Sequence, residues 1–269
     1  MTEPMQDAAL TPLLASRVGR YEEMLPPAAL ADHFRCAWIH EIGKTPTCDI
    51  AVVPDGCCDI IWTGGELMVV GPDRTAAFPM LSDGMRITGM RFHPGSAFSW
   101  LGLPLSEIVG RTLPLDDLWG KAARDIGQRV GECRSDRQRL FTLCHALEQR
   151  LVNARALPRE TRVAFDLLSR QKETVAHLSK ELGISERSLR RRCYEIFGYG
   201  PKTLERILRF QRFLALGQQS PETTLAALAI DTGYADQAHM TREVRLLSCL
   251  TPREILQQLQ RPPLGNGAF

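Results

Sequence analysis

The feature that most constrains this chain is an approximate internal repeat in its C-terminal part. The stretches VAHLSKELGIS and LAALAIDTGYA align so that the turn glycines Gly183 and Gly233 lie fifty residues apart. In each copy a short apolar helix is followed by a glycine that can take positive φ, and then by a second helix. Ser185 can cap the second helix of the first copy, and Asp236 that of the other. The repeat predicts two helix-turn-helix units in tandem.

The second helix of each unit divides into an apolar and a polar side on a 3.6-residue wheel. The apolar residues, which we expect to be buried, are Leu189, Cys193, Ile196, Phe197, Met240, Val244 and Leu247. Arginine, glutamine and threonine on an exposed helix suit phosphate contacts and the reading of base edges in a major groove. The polar residues, called here the candidate DNA-binding set, are Arg187, Arg190, Arg191, Tyr194, Gln237, Ala238, Thr241, Arg242 and Arg245.

The distribution of charge differs between the two halves of the chain. Residues from Leu157 onward carry 17 basic and 12 acidic side chains, a net charge of +5, whereas the preceding residues have a net charge of −3. A basic half joined to a slightly acidic one indicates a polyanion-binding module attached to a domain of another kind. The alternative is that the arginines only keep helix surfaces solvated.

Residues 173–256 resemble the tandem helix-turn-helix module of the AraC/XylS transcription regulators. The matching stretches are GISERSLRRR, GYGPKTLERILRFQRFLAL and GYADQAHMTREVRLLSCLTPREI. The resemblance implies a monomeric seven-helix module whose two recognition helices enter successive major grooves of double-stranded DNA. It also implies that the candidate DNA-binding set, Tyr194 excepted, contacts bases.

Three residues depart from the family pattern. Cys193 and Val244 stand where the family has a larger aromatic side chain, so looser packing is expected there. Cys249 stands where the family has glycine before Leu-Thr-Pro. If that position requires positive φ, a residue other than glycine costs about 1 kcal/mol. None of the three belongs to the candidate DNA-binding set.

The sequence of residues 34–94 is typical of β-structure. FRCAWIHEI, CDIAVV, CCDIIWT, ELMVVG and RITGMRF are short runs rich in β-branched and aromatic residues, separated by turn formers. They predict a small antiparallel barrel or sandwich with helices, and the helical sequence after Pro158 then makes the fold class α+β with two domains. The expected parts are a flexible tail at 1–20, a β-rich sensor or dimerisation domain at 21–156, a tandem helix-turn-helix domain at 157–260 and a C-terminal tail at 261–269.

The first half resembles a small β-rich N-terminal domain of a subset of AraC-type regulators, through VVPDGCCDIIW, VVGPD and MRFHPGSAFSWLGLPLSEI. The family resemblance implies a domain that senses a signal, dimerises or does both. An effector pocket is expected around residues 54–62, since such pockets combine apolar walls with a few polar groups. Its candidate residues are Trp38, Asp55, Cys57, Cys58, Asp59, Trp62 and His93, with Trp100 as a further wall. The alternative is an ordinary turn beside a tryptophan core.

The eight cysteines include no CxxC pair, which removes the commonest zinc and redox spacings. A metal or redox sensor made of Cys36, Cys48, Cys57 and Cys58, with His33 and His40, would scatter its ligands over both faces of a strand. No nucleophile–base pair or phosphate loop is apparent, so we expect no enzymatic activity, no cofactor and no bound metal. The alternative is a metal- or thiol-reactive enzyme, repair protein or redox sensor that uses Cys57 and Cys58 and is delivered by DNA binding.

An amphipathic helix is predicted over residues 135–155. Leu140, Cys144, Leu147 and Leu151 share one face of it, which either packs within the chain or forms a dimer seam. A homodimer is expected in either case, because the family uses paired DNA sites.

The sequence therefore predicts a sequence-specific DNA-binding transcriptional regulator. The family resemblance implies an activator that contacts RNA polymerase and responds to an unknown small-molecule effector. The N-terminus lacks the pattern of a signal peptide, and no apolar run approaches the roughly 20 residues of a membrane span. We expect a soluble cytoplasmic protein with no membrane partner.

Overall fold

The computed structural model describes residues 11–44, 46, 48–151 and 175–260, which form a β-rich N-terminal domain and a helical C-terminal domain. This confirms the predicted α+β class with two domains. The strands are β1 Leu13–Leu14, β2 Arg20–Met24, β3 Phe34–Glu41, β4 Ile50–Ala51, β5 Asp59–Trp62, β6 Leu67–Val70, β7 Arg86–Phe92 and β8 Thr112–Pro114.

Six of these strands form one antiparallel sheet in the order β2-β3-β7-β5-β6-β8. In the described residues β2 and β8 remain the two edges of this sheet, so the barrel, one of the two arrangements predicted beside the sandwich, is not confirmed. The register places Asp59 opposite Arg91 and, two residues further along β5, Ile61 opposite Gly89. Because directly opposed residues share a face and neighbours alternate, this register decides which side chains can meet.

The helices of the N-terminal domain cover one face of the sheet. They are α1 Ser96–Leu101, α2 Asp116–Trp119, α3 Lys121–Gly131 and α4 Asp136–Arg150, with 3-10 turns at Ala15–Arg17, Ala28–Leu30 and Leu105–Glu107. Helix α4 corresponds to the amphipathic helix predicted over 135–155, and the Ser135 side chain caps it by accepting from the Gln138 amide. Its Leu140, Cys144 and Leu147 are buried in the core beneath the sheet, so this face packs within the chain.

Residues 11–20, which were predicted as part of a flexible tail, are held in the structure. Leu13 and Leu14 form β1, which pairs in parallel with β4. Leu14 is buried in the core of the C-terminal domain, and Gln258 of that domain accepts a hydrogen bond from its amide (2.8 Å). The boundary predicted near Pro158 and the tail predicted at 261–269 lie outside the described residues.

The C-terminal domain is helical throughout its described part. Its helices are α5 Val175–Glu181, α6 Glu186–Phe197, α7 Pro201–Gln219, α8 Leu225–Asp231, α9 Gln237–Ser248 and α10 Pro252–Gln260. Helix α7 has 19 residues and therefore a length of about 28 Å. Its Leu204, Ile207, Phe210 and Phe213 are buried in one core shared by both helix-turn-helix units.

Candidate nucleic-acid interface

The first helix-turn-helix unit consists of α5, a turn and α6. Gly183 in the turn has φ +63°. This conformation is energetically unfavourable for residues that have a side chain. Ser185 begins α6 as predicted, and its hydroxyl accepts a hydrogen bond from the Ser188 amide (3.2 Å). The four apolar residues predicted for the inner side of α6, Leu189, Cys193, Ile196 and Phe197, are all buried.

The second unit repeats this construction with α8 and α9. Gly233 has φ +85°, and the Asp236 carboxylate accepts a hydrogen bond from the His239 amide (2.6 Å) at the start of α9. Met240, Val244 and Leu247 are buried, as the sequence pattern indicates. Each unit therefore presents a capped helix whose apolar side is buried in the common core.

Helix α7 joins the two units and is fastened to the second one by charged contacts. The Arg206 guanidinium donates to the Glu243 carboxylate of α9 (2.6 Å). The Arg209 guanidinium pairs with Glu205 on the same helix and lies 5.3 Å from the centre of the Tyr234 ring. These arginines are therefore occupied by partners inside the domain.

The candidate DNA-binding set lies on the outer sides of α6 and α9. Thr241 is half-buried, and its hydroxyl donates to the carbonyl of Gln237 one turn earlier (2.8 Å). Tyr194 keeps 42% of its surface exposed. The remaining members are all exposed, namely Arg187, Arg190, Arg191, Gln237, Ala238, Arg242 and Arg245.

Within the described residues, the arginines of this set differ from Arg206 and Arg209 of α7 in having no acidic partner. None of the ion pairs within the described ranges includes Arg187, Arg190, Arg191, Arg242 or Arg245. Guanidinium groups without a carboxylate partner remain available for phosphate oxygens and for the O6 and N7 atoms of guanine. The two outer helix sides are thus suited to bind a polyanion.

The residues predicted to form an effector pocket are divided between the two faces of the sheet. Trp38 and Asp59 lie on one face, where the Trp38 indole donates to the Asp59 carboxylate (2.8 Å). Trp62 lies on the opposite face, 4.9 Å below the Arg139 guanidinium of α4. Because Asp59 and Trp62 are three residues apart in one strand, their side chains point to opposite sides. The expectation that they line one pocket is therefore wrong.

The other two rings expected around this pocket belong to the core side or the loop beside it. His93 follows β7 and contacts the carbonyl oxygen of Ala31 (3.1 Å). Trp100 packs edge-on against Phe34 in the core, with ring centres 5.0 Å apart. Neither ring position supports a pocket built with Asp59.

An acidic cluster surrounds one arginine on the face that carries Trp38. Arg91 of β7 pairs with Asp59 (3.1 Å) and Asp55 (3.4 Å), and lies 4.0 Å from Glu23. Burial raises the pKa of Asp59, and the Arg91 guanidinium opposes that rise. Asp73, close to Asp55 and Asp59, has its pKa raised to about 6 by burial and by these two carboxylates. The cluster is thus a partly dehydrated ion network.

Cys57 and Cys58 lie beside this network but are buried within the fold. Burial raises the pKa of both thiols well above the ordinary value, and the neighbouring aspartates raise it further. A raised pKa keeps a thiol protonated and therefore weakly nucleophilic. Within the described ranges, no group of three or more His, Cys, Asp or Glu side chains is arranged to hold a metal ion. These observations disfavour the alternative of a thiol- or metal-reactive protein.

A polar cleft of about 270 Å³ lies between β2 and the start of α4. Arg86 crosses it and pairs with both Glu41 and Asp136 (2.7 Å each). Arg20 pairs with Glu22 in the same way, so the charged side chains that line the cleft, Arg137 excepted, pair with one another.

Sequence reasoning did not find the residues that join the two domains or the arginine at the centre of the network. Arg91 contacts carboxylates that are more than thirty residues away in the chain, so only the strand register reveals it. Tyr199 and Gln211 of the C-terminal domain contact the N-terminal domain near Pro54. For the predicted pocket, the sequence contained one usable signal. The alternation of side chains within DIIW indicates that Asp59 and Trp62 lie on opposite faces of their strand.

Two family models match the chain. One is described as a helix-turn-helix domain and matches residues 178–258, and the other is a domain of unknown function and matches residues 22–114. No curated protein sequence matches the chain. The first match confirms the helix-turn-helix resemblance of the C-terminal domain.

Several solved structures are similar to this chain. A probable AraC family transcriptional regulator from Rhodopseudomonas palustris has 23% identity over 39% of this chain and 100% of its own, with a TM-score of 0.35. A transcriptional regulator with an AraC-type DNA-binding domain from Chromobacterium violaceum has 21% identity over 38% of this chain and 90% of its own, with a TM-score of 0.35. ToxT from Vibrio cholerae, with a bound unsaturated fatty acid, has 10% identity over 85% of this chain and 96% of its own, with a TM-score of 0.45.

None of the helices in the part of the chain that the structure describes combines the length and the apolar character that crossing a bilayer requires.

Proposed function

We propose that this chain, whose residues 178–258 form a helix-turn-helix domain of the AraC type, regulates transcription by binding specific DNA sequences through α6 and α9. The observation that carries the proposal is that two capped helices on one core expose arginines without acidic partners. The family resemblance implies that two such helices enter successive major grooves, which are one turn of DNA, about 34 Å, apart.

The two helices offer different chemistry to DNA. Helix α6 presents the three arginines of the candidate DNA-binding set, which suit phosphates and guanine edges. Helix α9 adds Gln237, whose amide can pair with adenine, and Ala238, whose methyl group can contact that of thymine. We expect α6 to supply more of the electrostatic attraction and α9 more of the discrimination between bases.

The N-terminal domain is proposed to receive a signal or to support a homodimer. The family resemblance makes activation through RNA polymerase the expected output. The side chains predicted around residues 54–62 lie on both faces of the sheet, which argues against a single effector pocket lined by all of them.

Single arginine substitutions test the proposed surface. Arg191→Ala and Arg242→Ala should each lose about 1–3 kcal/mol of specific binding free energy and relax the base preference at one position. Loss of a phosphate contact should instead weaken binding to all sequences and lower the slope of log K against log salt by about 1. Fluorescence anisotropy on a duplex selected by the wild-type protein from random-sequence DNA, at several salt concentrations, separates the two effects.

The matched control is Arg124→Ala in the N-terminal domain. Arg124 is exposed and pairs only with Asp116 at the surface (3.2 Å), so this variant makes the same charge change away from the proposed surface. It should bind the selected duplex as the wild type does. If Arg191→Ala and Arg242→Ala also bind like the wild type, the assigned surface is wrong.

A further inference from the structure

One segment of the N-terminal domain, residues 71–77, touches both helix-turn-helix units. We call it the bridging segment. Its start is anchored inside its own domain, where the Gly71 amide donates to the Arg111 carbonyl (2.9 Å) and the Pro72 carbonyl accepts from the Gly110 amide (3.1 Å). Its end is anchored by two hydrogen bonds between the backbones of Ala77 and Val52 (2.9 Å each). The segment is therefore fixed to the N-terminal domain at both ends.

The first unit contacts the bridging segment at the turn after α6. Gly198 has φ +83°, and a Cβ built on it would lie 2.6 Å from Val109 and 3.0 Å from Pro72. Such distances are too short for ordinary contacts, so the backbone of this turn lies directly on the N-terminal domain. Tyr199, the next residue, is 1% exposed, and its hydroxyl lies against Gly56. Burial raises the pKa of Tyr199, and the Asp55 carboxylate raises it further.

The second unit contacts the same segment at the C-terminal end of α9. The Ala76 amide donates to the Leu247 carbonyl (2.7 Å). The last carbonyls of a helix have no partner within the helix, so an external donor of this kind completes its end. The bridging segment thus caps the C-terminal end of α9.

The helix between the units is held by the same part of the N-terminal domain. The Gln211 side-chain amide of α7 donates to the Pro54 carbonyl (2.7 Å). Pro54 is adjacent to Asp55, which belongs to the Arg91 network. The N-terminal domain therefore contacts the first unit, the connecting helix and the second unit in one continuous interface.

We infer that the N-terminal domain sets the distance and orientation between α6 and α9 and so selects the spacing of the two DNA segments that they bind. This inference rests on the proposed function. The docked arrangement leaves the arginines of both outer helices exposed, so it is compatible with DNA contact. A scaffold that holds both helices in place removes part of the ordering cost of binding two grooves at once.

The test is the dependence of affinity on spacing. The probes are the duplex that the wild-type protein selects from random-sequence DNA and versions with one or two base pairs inserted between its two protected segments. Each inserted pair moves one segment by about 3.4 Å and rotates it by about a tenth of a turn. The wild type should lose about tenfold in affinity on the first insertion, whereas a protein with loosened units should lose clearly less.

Gln211→Glu is the principal variant, because it replaces the donor that faces the Pro54 carbonyl with a carboxylate of similar shape. Its matched control is Gln218→Glu, which makes the same charge change at an exposed position of the same helix. Ala76→Pro, which removes the amide that caps α9, is a second variant. Thermal unfolding of each full-length protein checks that the fold is retained.

We expect Gln211→Glu to bind the selected duplex about threefold more weakly than Gln218→Glu and to lose less than threefold on the first insertion. The inference is wrong if Gln211→Glu keeps the wild-type loss on insertion, or if it binds the selected duplex more tightly than the control. If the wild-type protein selects no sequence at all, the proposed function itself fails. Ala76→Pro, where it folds, should shift the spacing dependence in the same direction.

Discussion

Arg91 in the N-terminal sheet is surrounded by Asp59, Asp55 and Glu23, whereas Arg190 and Arg191 on α6 are exposed and form none of the ion pairs within the described residues. The same side chain therefore has two uses in this molecule. A guanidinium that compensates buried carboxylates contributes to folding and is unavailable to a ligand. A guanidinium without a partner contributes little to folding and can bind phosphates. Pairing, rather than the number of arginines, distinguishes the structural region from the binding region.

Removing an arginine from each region gives the largest expected contrast. Arg91→Met should lower the free energy of unfolding by about 3 kcal/mol, because it leaves the Asp59 carboxylate without its compensating charge. Arg190→Met, which removes the same group from a solvated helix side, should change it by less than about 0.5 kcal/mol. Urea denaturation of both variants measures the difference.

The two variants should also separate in DNA binding. Arg190→Met should bind the selected duplex more weakly and with a smaller salt slope, while folded Arg91→Met should keep the wild-type salt slope. Equal unfolding midpoints for the two variants would show that the Arg91 network contributes nothing to folding, and the contrast would be lost.

The excess of carboxylates around Arg91 should make the free energy of unfolding depend on pH, and this effect is smaller than that of removing Arg91. The pKa of Asp73 is raised from 3.8 to about 6, so between these values the folded state binds more protons than the unfolded state. The free energy of unfolding should therefore fall as the pH rises from about 4 to about 6. Asp73→Asn removes this contribution and should be more stable than the wild type at neutral pH, by about 1 kcal/mol after allowance for solvent screening.

The measurement is urea denaturation of wild type and Asp73→Asn across this pH range. The gain in stability should disappear below about pH 4, where Asp73 is protonated in both states. Asp125→Asn, which alters an exposed carboxylate of α3, is the matched control and should give parallel profiles. A constant difference between wild type and Asp73→Asn at all pH values would contradict the assigned cause.

These contrasts also show what could be predicted from the sequence. The helix-turn-helix units depend on local signals, namely the turn glycines, the caps Ser185 and Asp236, and an apolar stripe at helical spacing, and the structure has all of them. The Arg91 network depends on the register of β5 and β7, which no local pattern specifies. The pocket expected around Asp59 and Trp62 conflicts with the alternation of side chains along a strand, which places these two residues on opposite faces of the sheet.

The contacts between the domains could not be predicted from local sequence patterns either. Leu14 belongs to a stretch that is polar and weakly patterned, yet it is buried in the core of the C-terminal domain. Its burial follows from tertiary docking to α10 and not from any periodicity around it. By contrast, the requirement for positive φ at position 249 was anticipated from the family pattern, and this position provides the smallest test.

Cys249 is the one residue other than glycine with positive φ in the described part of the chain, at φ +61°. It ends α9, and its amide donates to the Arg245 carbonyl (2.9 Å) as a left-handed helix cap does. A Cβ atom is unfavourable in this conformation, so Cys249→Gly should raise the free energy of unfolding by up to about 1 kcal/mol. Thermal and urea denaturation measure the gain.

Cys249→Ala is the matched control, because it removes the thiol and keeps the Cβ atom. If the strain lies in the backbone, the alanine variant should gain nothing, whereas a gain of equal size in both variants would assign the effect to the sulfur. Neither substitution changes the candidate DNA-binding set, so both variants should bind the selected duplex with wild-type affinity and salt slope. A stabilised domain with unchanged DNA binding would show that the exposed arginines act independently of the stability of the helix that carries them, as their lack of partners requires.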